Sequence, residues 1–185
     1  MRNQKQSRAY AIGLTVFSAL GRLVPHVPNV TPLGASCLFA GSRIGGYLAY
    51  LLPLVVMLVT DPIVGHAGGA SSGYSFGSPL IYASLMINVF IGQRLVRKVS
   101  VMRVGVAAFL CSLQFFLLAN LATFIDPVAG SLYAGSFAGF VACNVAALPF
   151  WGRTLAGDLF FSGALFGMYA WLSRRAQEPA DRVIA

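Results

Sequence analysis

Acidic side chains are scarce here: five Asp and Glu stand against 13 Lys and Arg, and only 10% of the 185 residues are charged. A soluble domain carries about a quarter, so that class is excluded. Histidine occurs twice and cysteine three times. Both histidines, His26 and His66, lie between apolar runs, so the chain lacks the intramembrane pairs of a b-type haem protein. Cys37, Cys111 and Cys143 are far apart and odd in number, which argues against a disulfide framework and leaves no metal-ligand spacing. No metal or other cofactor is expected. There is no Walker A loop, so an ATP-driven step needs a partner. Strict in/out alternation is missing, which excludes an outer-membrane barrel. No internal repeat of the inverted-carrier kind is found.

What the chain has is hydrophobicity, at 57% of residues. Several apolar runs approach the roughly 17–25 residues that cross a bilayer as helix. The expected fold is all-α: a polytopic membrane protein forming a single transmembrane domain over 1–185. Six spans are predicted at 10–24, 33–43, 47–60, 79–93, 104–125 and 154–172, the second too short to cross fully unless it is tilted or continues into the third. The first is read as a retained helix, because it runs into Pro-His-Val-Pro rather than a small-residue cleavage site.

Charge placement selects the topology. The net +8 does not point to nucleic acid, because the charges collect in short flanks of the apolar runs. Arg2, Lys5, Arg8, Arg43, Arg94, Arg97, Lys98, Arg103, Arg174 and Arg175 all face the cytoplasm with six crossings. Residues 1–9 are then a cytoplasmic basic N-terminus and 173–185 a cytoplasmic tail. A seventh crossing at 131–150 would put Arg174 and Arg175 outside. That apolar stretch is therefore expected as a re-entrant or surface helix on the outer side.

The outer connections, 25–32, 65–78 and 126–153, are longer and more polar or aromatic than the inner ones. They point to a pocket opening outward. Asn29, in a loop stiffened by Pro25, Pro28 and Pro32, is favoured for ligand contact. The Gly- and Ser-rich stretch 65–78 reads as a lid. His26 and His66 are solvated loop histidines or ligand contacts. Tyr74, Phe76 and Trp151 are pocket walls or interfacial belt residues. Asn120 and Asn144 tie helices together by hydrogen bonds, and Asn144 is also a candidate contact. Asp61 before Pro62 ends its helix or shares the pocket mouth with His66. Asp158, costly inside a span unless paired, forms an ion pair with Arg22 or Arg153 or meets the ligand. Ala11, Thr15 and Ala19 recur every four residues, with Ala9 and Gly13 one face over; Gly163 and Gly167 make a second stripe. Such stripes pack helices closely, within the chain or against a partner.

Three stretches carry a resemblance: RLVPHVPNVTPLGASCLFAG from Arg22, LLPLVVMLVTDPIVG from Leu51 and CNVAALPFWGRTLAGDLFFSGALFG from Cys143. Together they resemble a family of uncharacterised bacterial membrane proteins assigned to transport. That family is related to the substrate-binding S components of energy-coupling-factor (ECF) vitamin transporters. The resemblance implies a six-helix S-component-like fold in the bacterial cytoplasmic (inner) membrane, with substrate held under the three outer loops. It also implies that the first helix, through Ala11, Thr15 and Ala19, docks a transmembrane coupling subunit driven by ATPases; Thr15 departs from the usual alanine. Cobalamin-specific relatives hold cobalt with a loop cysteine, which the second outer loop here lacks; His66 or Cys143 would have to take its place, so cobalamin is one candidate among several ligands.

The expected function is capture of a small organic micronutrient by a non-enzymatic membrane protein. The alternative is a non-catalytic structural or assembly subunit of a membrane complex. An enzyme acting on a lipid-soluble substrate is a more distant reading, with His66 and Asp61 together at the pocket mouth.

Overall fold

A computed structural model describes residues 2–24, 29–67 and 73–176. Its elements are six helices: α1 (Arg2–Leu20), α2 (Leu33–Arg43), α3 (Leu48–Ala67), α4 (Ser78–Leu95), α5 (Val101–Ile125) and α6 (Phe137–Arg175). Short 3-10 turns follow α1 at Gly21–Leu23 and precede α6 at Ala129–Leu132. No strand occurs among the described residues. Helices α3, α5 and α6 are long and apolar enough to cross a membrane.

Local chemistry sets the ends. Ser100 caps α5 by accepting from the Arg103 N–H at 3.3 Å, and Ser136 caps α6 by accepting from Gly139 at 3.2 Å. Gly45 and Gly46, at φ 67° and 60°, turn the chain out of α2 as only glycine does readily.

Two expectations about helix extent are corrected. The stretch 131–150 is not a separate re-entrant or surface element: from Phe137 onward it is the first part of the 39-residue α6. Pro149 does not break that helix. A proline deletes one backbone bond, and neighbouring helices tolerate the loss in an apolar bundle. Likewise Asp61-Pro62 does not end α3, which runs through both Pro53 and Pro62 to Ala67. His66 is therefore on a helix, donating from Nδ1 to the Pro62 carbonyl at 2.7 Å.

The short helix α2 is the hub, touching all five others. Eight of its 11 residues are buried. Phe39 meets Phe166 and Tyr169 edge-on at 5.1 and 5.6 Å. Against α4 the backbones themselves touch. A Cβ on Gly41 would overlap the Val89 carbonyl, and one on Gly92 would overlap the Leu38 carbonyl. Glycine at both positions permits this crossing.

Ala11, Thr15 and Ala19 are each 0% exposed. Ala11 packs with Leu38, Phe39 and Leu165, and Ala19 with Leu33 and Cys37. The stripe is thus used inside the chain, and a partner would meet other residues of α1. The exterior is apolar: Phe17, Val59, Ile63, Phe160 and Trp171 are all more than half exposed. Such a surface suits hydrocarbon rather than water.

One end of the bundle gathers most of the basic residues, Arg22 and Arg153 excepted. Arg43, at the end of α2, donates to the Val96 and Arg97 carbonyls beyond α4, at 3.0 and 3.4 Å. The start of α5 and the end of α6 meet there too, Val101 facing the same groove as Ala170.

Candidate functional site

At the opposite end, the chain leaving α1 turns at Asn29 and enters α2. Asn29 has φ 66°, the left-handed region that asparagine tolerates better than most residues. The turn lies on α6, where a Cβ added to Gly157 would come 3.2 Å from Val30.

Beside this turn a cleft of about 350 Å³ opens between α5 and α6. Phe115, Phe116, Ala119 and Asn120 come from α5, and Ala147, Phe150, Trp151 and Thr154 from α6. Trp151 stacks at 5.4 Å on Phe116, and its indole N–H is buried without a hydrogen-bond partner. Asn29, Phe115 and Thr154 also border a smaller chamber of about 50 Å³ beneath. Thr31, Leu33, Gly34, Leu85, Asn88 and Asp158 complete that chamber.

Asp158 is 5% exposed, and no cation pairs with it among the described residues. The expected ion pair with Arg22 or Arg153 does not form. Arg22 instead donates to Asp61 at 2.6 Å and to Thr60 at 3.1 Å, while Tyr82 donates to the second Asp61 oxygen. Arg153 lies five residues before Asp158 on one helix, which turns it to a different face. Ser112 stands beside the Asp158 carboxylate but lacks hydrogen-bonding geometry. Gly34 is the other close neighbour: a Cβ there would lie 2.5 Å from Asp158 Oδ1.

The structure thus brings together Asn29, Trp151 and Asp158 of the expected site. It leaves others apart. His66 is exposed at the end of α3. Tyr74 donates to the Leu58 carbonyl at 2.8 Å, and Phe76 is 60% exposed. Asn144 donates to Phe140 at 2.9 Å, with its carbonyl oxygen buried and unpartnered. It does not tie helices together, and neither does the Asn120 side chain, which bonds Phe116 one turn back. His26, Pro25, Pro28 and the centre of the expected lid, 68–72, lie outside the described residues.

Sequence reading missed Phe115, Phe116, Thr154, Asn88 and Gly34. The signal for Thr154 was present, since 147, 151, 154 and 158 share one helical face. Wider apolar grooves of about 420 and 440 Å³ lie between α5 and α6 near the basic end and between α1 and α6. Their linings offer little polar chemistry, so they read as creases in a lipid-facing surface.

Outside the apolar spans, Asp126 follows α5 and accepts from the Val128 and Ala129 N–H groups, each at 2.9 Å. These bonds hold its pKa below the usual carboxylate range, the Ala129 contact weighing most. Among the described residues, no group of three or more potential ligands could hold a metal ion.

The class defined by these features is an all-helical protein with three helices fit to span a bilayer and a cleft at one end. The chain belongs to a family of unknown function, DUF6580, whose model matches residues 2–180. No curated protein and no solved structure matches the chain.

Proposed function

We propose that this protein is the substrate-binding or uptake component of a bacterial inner-membrane transport system, capturing a small organic micronutrient. One observation carries the reading: the aromatic-walled cleft, floored by a buried carboxylate, lies at the end opposite most of the basic residues, with only Arg22 and Arg153 on its side. Lys and Arg mark cytoplasmic ends. With six crossings and both termini in the cytoplasm, the cleft opens outward. A pocket that is mostly apolar, with a few convergent polar groups, is the usual form of a small-molecule site. The resemblance to ECF S components agrees with this reading. A coupling subunit and ATPases then supply the energy, because the chain has no nucleotide-binding loop.

The test is thermal unfolding of the purified protein in detergent against a panel of vitamins and precursors, cobalamin included. One compound is expected to raise the midpoint saturably, and Trp151→Ala or Asn29→Ala to shrink the rise. A rise unchanged in both variants would place the site elsewhere. A folded sample indifferent to the whole panel would leave the assembly-subunit reading in its place.

A further inference from the structure

We propose that the occupant of the cleft carries a compact positive charge, a protonated amine, seated against Asp158, with an aromatic or apolar body between Phe115, Phe116 and Trp151. This rests on the cleft being the binding site.

The argument starts from cost. A carboxylate buried without a partner is expensive in an apolar interior and calls for a pairing charge or strong donors. Asp158 has neither among the described residues, although the chain supplies both to Asp61. Its neighbours are uncharged: Gly34, Asn88, Thr154 and Ser112, with Cys37 and Cys111 also within electrostatic reach. The N-terminus of α2 lies close by, but a helix end offers only about half a charge, and no α2 backbone N–H donates to Asp158 among the described residues. Arg22 and Arg43 are engaged elsewhere, and Arg153 is exposed on another face.

Size sharpens the class. The chamber of about 50 Å³ compares with a water's share of about 30 Å³ of liquid. It admits an ammonium group and little more. The cleft above it, about 350 Å³, accommodates a ring. Gly34 keeps the carboxylate accessible, since any side chain there would press on Oδ1. Phe116 and Trp151 add faces attractive to a cationic or aromatic body.

The test uses three molecules that share one body and differ in charge: benzylamine, benzyl alcohol and benzoate. The full chain carries Trp171→Phe, so that Trp151 alone reports by fluorescence. Titration is in detergent and potassium buffer near neutral pH. Benzylamine is expected to change the emission saturably, at least about tenfold more tightly than benzyl alcohol, with benzoate weaker still. Asp158→Asn is expected to erase the preference, and Asp158→Glu to keep part of it. Equal binding of amine and alcohol to the Trp171→Phe chain, which leaves Asp158 intact, would overturn the inference whether or not Asp158→Asn folds. So would benzylamine leaving Trp151 unmoved, or sodium alone producing the response, which would make Asp158 a metal-ion site. A neutral or anionic micronutrient that raises the unfolding midpoint independently of Asp158 would keep the transport reading and sink this one.

Discussion

Asp61 and Asp158 sit almost equally deep, at 7% and 5% exposure, yet their surroundings are opposite. Asp61 meets Arg22 and Tyr82, and Arg22 also bonds Thr60. Its charge is neutralised and both carboxylate oxygens are engaged, so the group serves the fold. Asp158 faces a chamber with no counter-charge among the described residues. The difference teaches that burial alone does not separate a structural carboxylate from one held for a ligand; the inventory of partners does.

The comparison is broken most severely by Arg22→Ala, which leaves the Asp61 charge without its cation. Loss of one partner of a buried pair costs about 3–5 kcal/mol, read as a lower unfolding midpoint in detergent. Substituting Asp61→Asn and Arg22→Met together should recover much of that loss. A milder break is Gly73→Ala, because the added methyl would meet the Asp61 backbone carbonyl. Backbone cannot swing aside, and overpacking of this kind costs about 1–3 kcal/mol, measurable in the same unfolding assay.

Asp158→Asn sharpens the contrast from the other side. Without ligand it removes an unpaired charge rather than a pair, so the midpoint should stay level or rise, by less than about 1 kcal/mol. A fall as large as that of Arg22→Ala would show that Asp158 has a structural partner after all. The smallest effect belongs to Asp126, a third carboxylate, partly exposed and held by two N–H groups. Its folded pKa is lowered, so its contribution is present above the ordinary carboxylate range and fades as pH falls through the folded value. Asp126→Ala should flatten that acid-side slope in the midpoint, and an identical slope would remove the effect.

Much of this was legible in the residues, and the misses have physical causes. Charge flanks and apolar runs located six helices, including the short one at Leu33–Arg43. Asn29, Trp151 and Asp158 were singled out for a stiff loop, an aromatic wall and an acid inside a span, and they border one cleft and its chamber, although the ion pair expected of Asp158 does not form. The stretch 137–150 was misread because the charge argument asked only whether it crosses a seventh time, and so set it apart instead of joining it to the last helix. Once it is seen as helix, Ala147, Trp151, Thr154 and Asp158 fall on one face. The Arg22–Asp61 pair was hidden because nothing local joins residues 39 apart. His66, Tyr74 and Phe76 were grouped by sharing a connection, and a connection does not dictate that its members converge.

The crossing at Gly41 and Gly92 has a mechanical consequence. With carbonyls pressed against alpha carbons, α2 and α4 have no room to slide and behave as one strut. Leu33 and Gly34 on one helix and Leu85 and Asn88 on the other thus form a fixed floor. Helix α5 is pinned to that strut at the lower edge of the cleft, where Gln114 donates to Asn88 at 2.6 Å and to the Ser84 carbonyl at 2.9 Å. A guest in the cleft between α5 and α6 therefore rests on a floor held by α2 and α4, and room for it must come from α5 and α6 parting above Gln114.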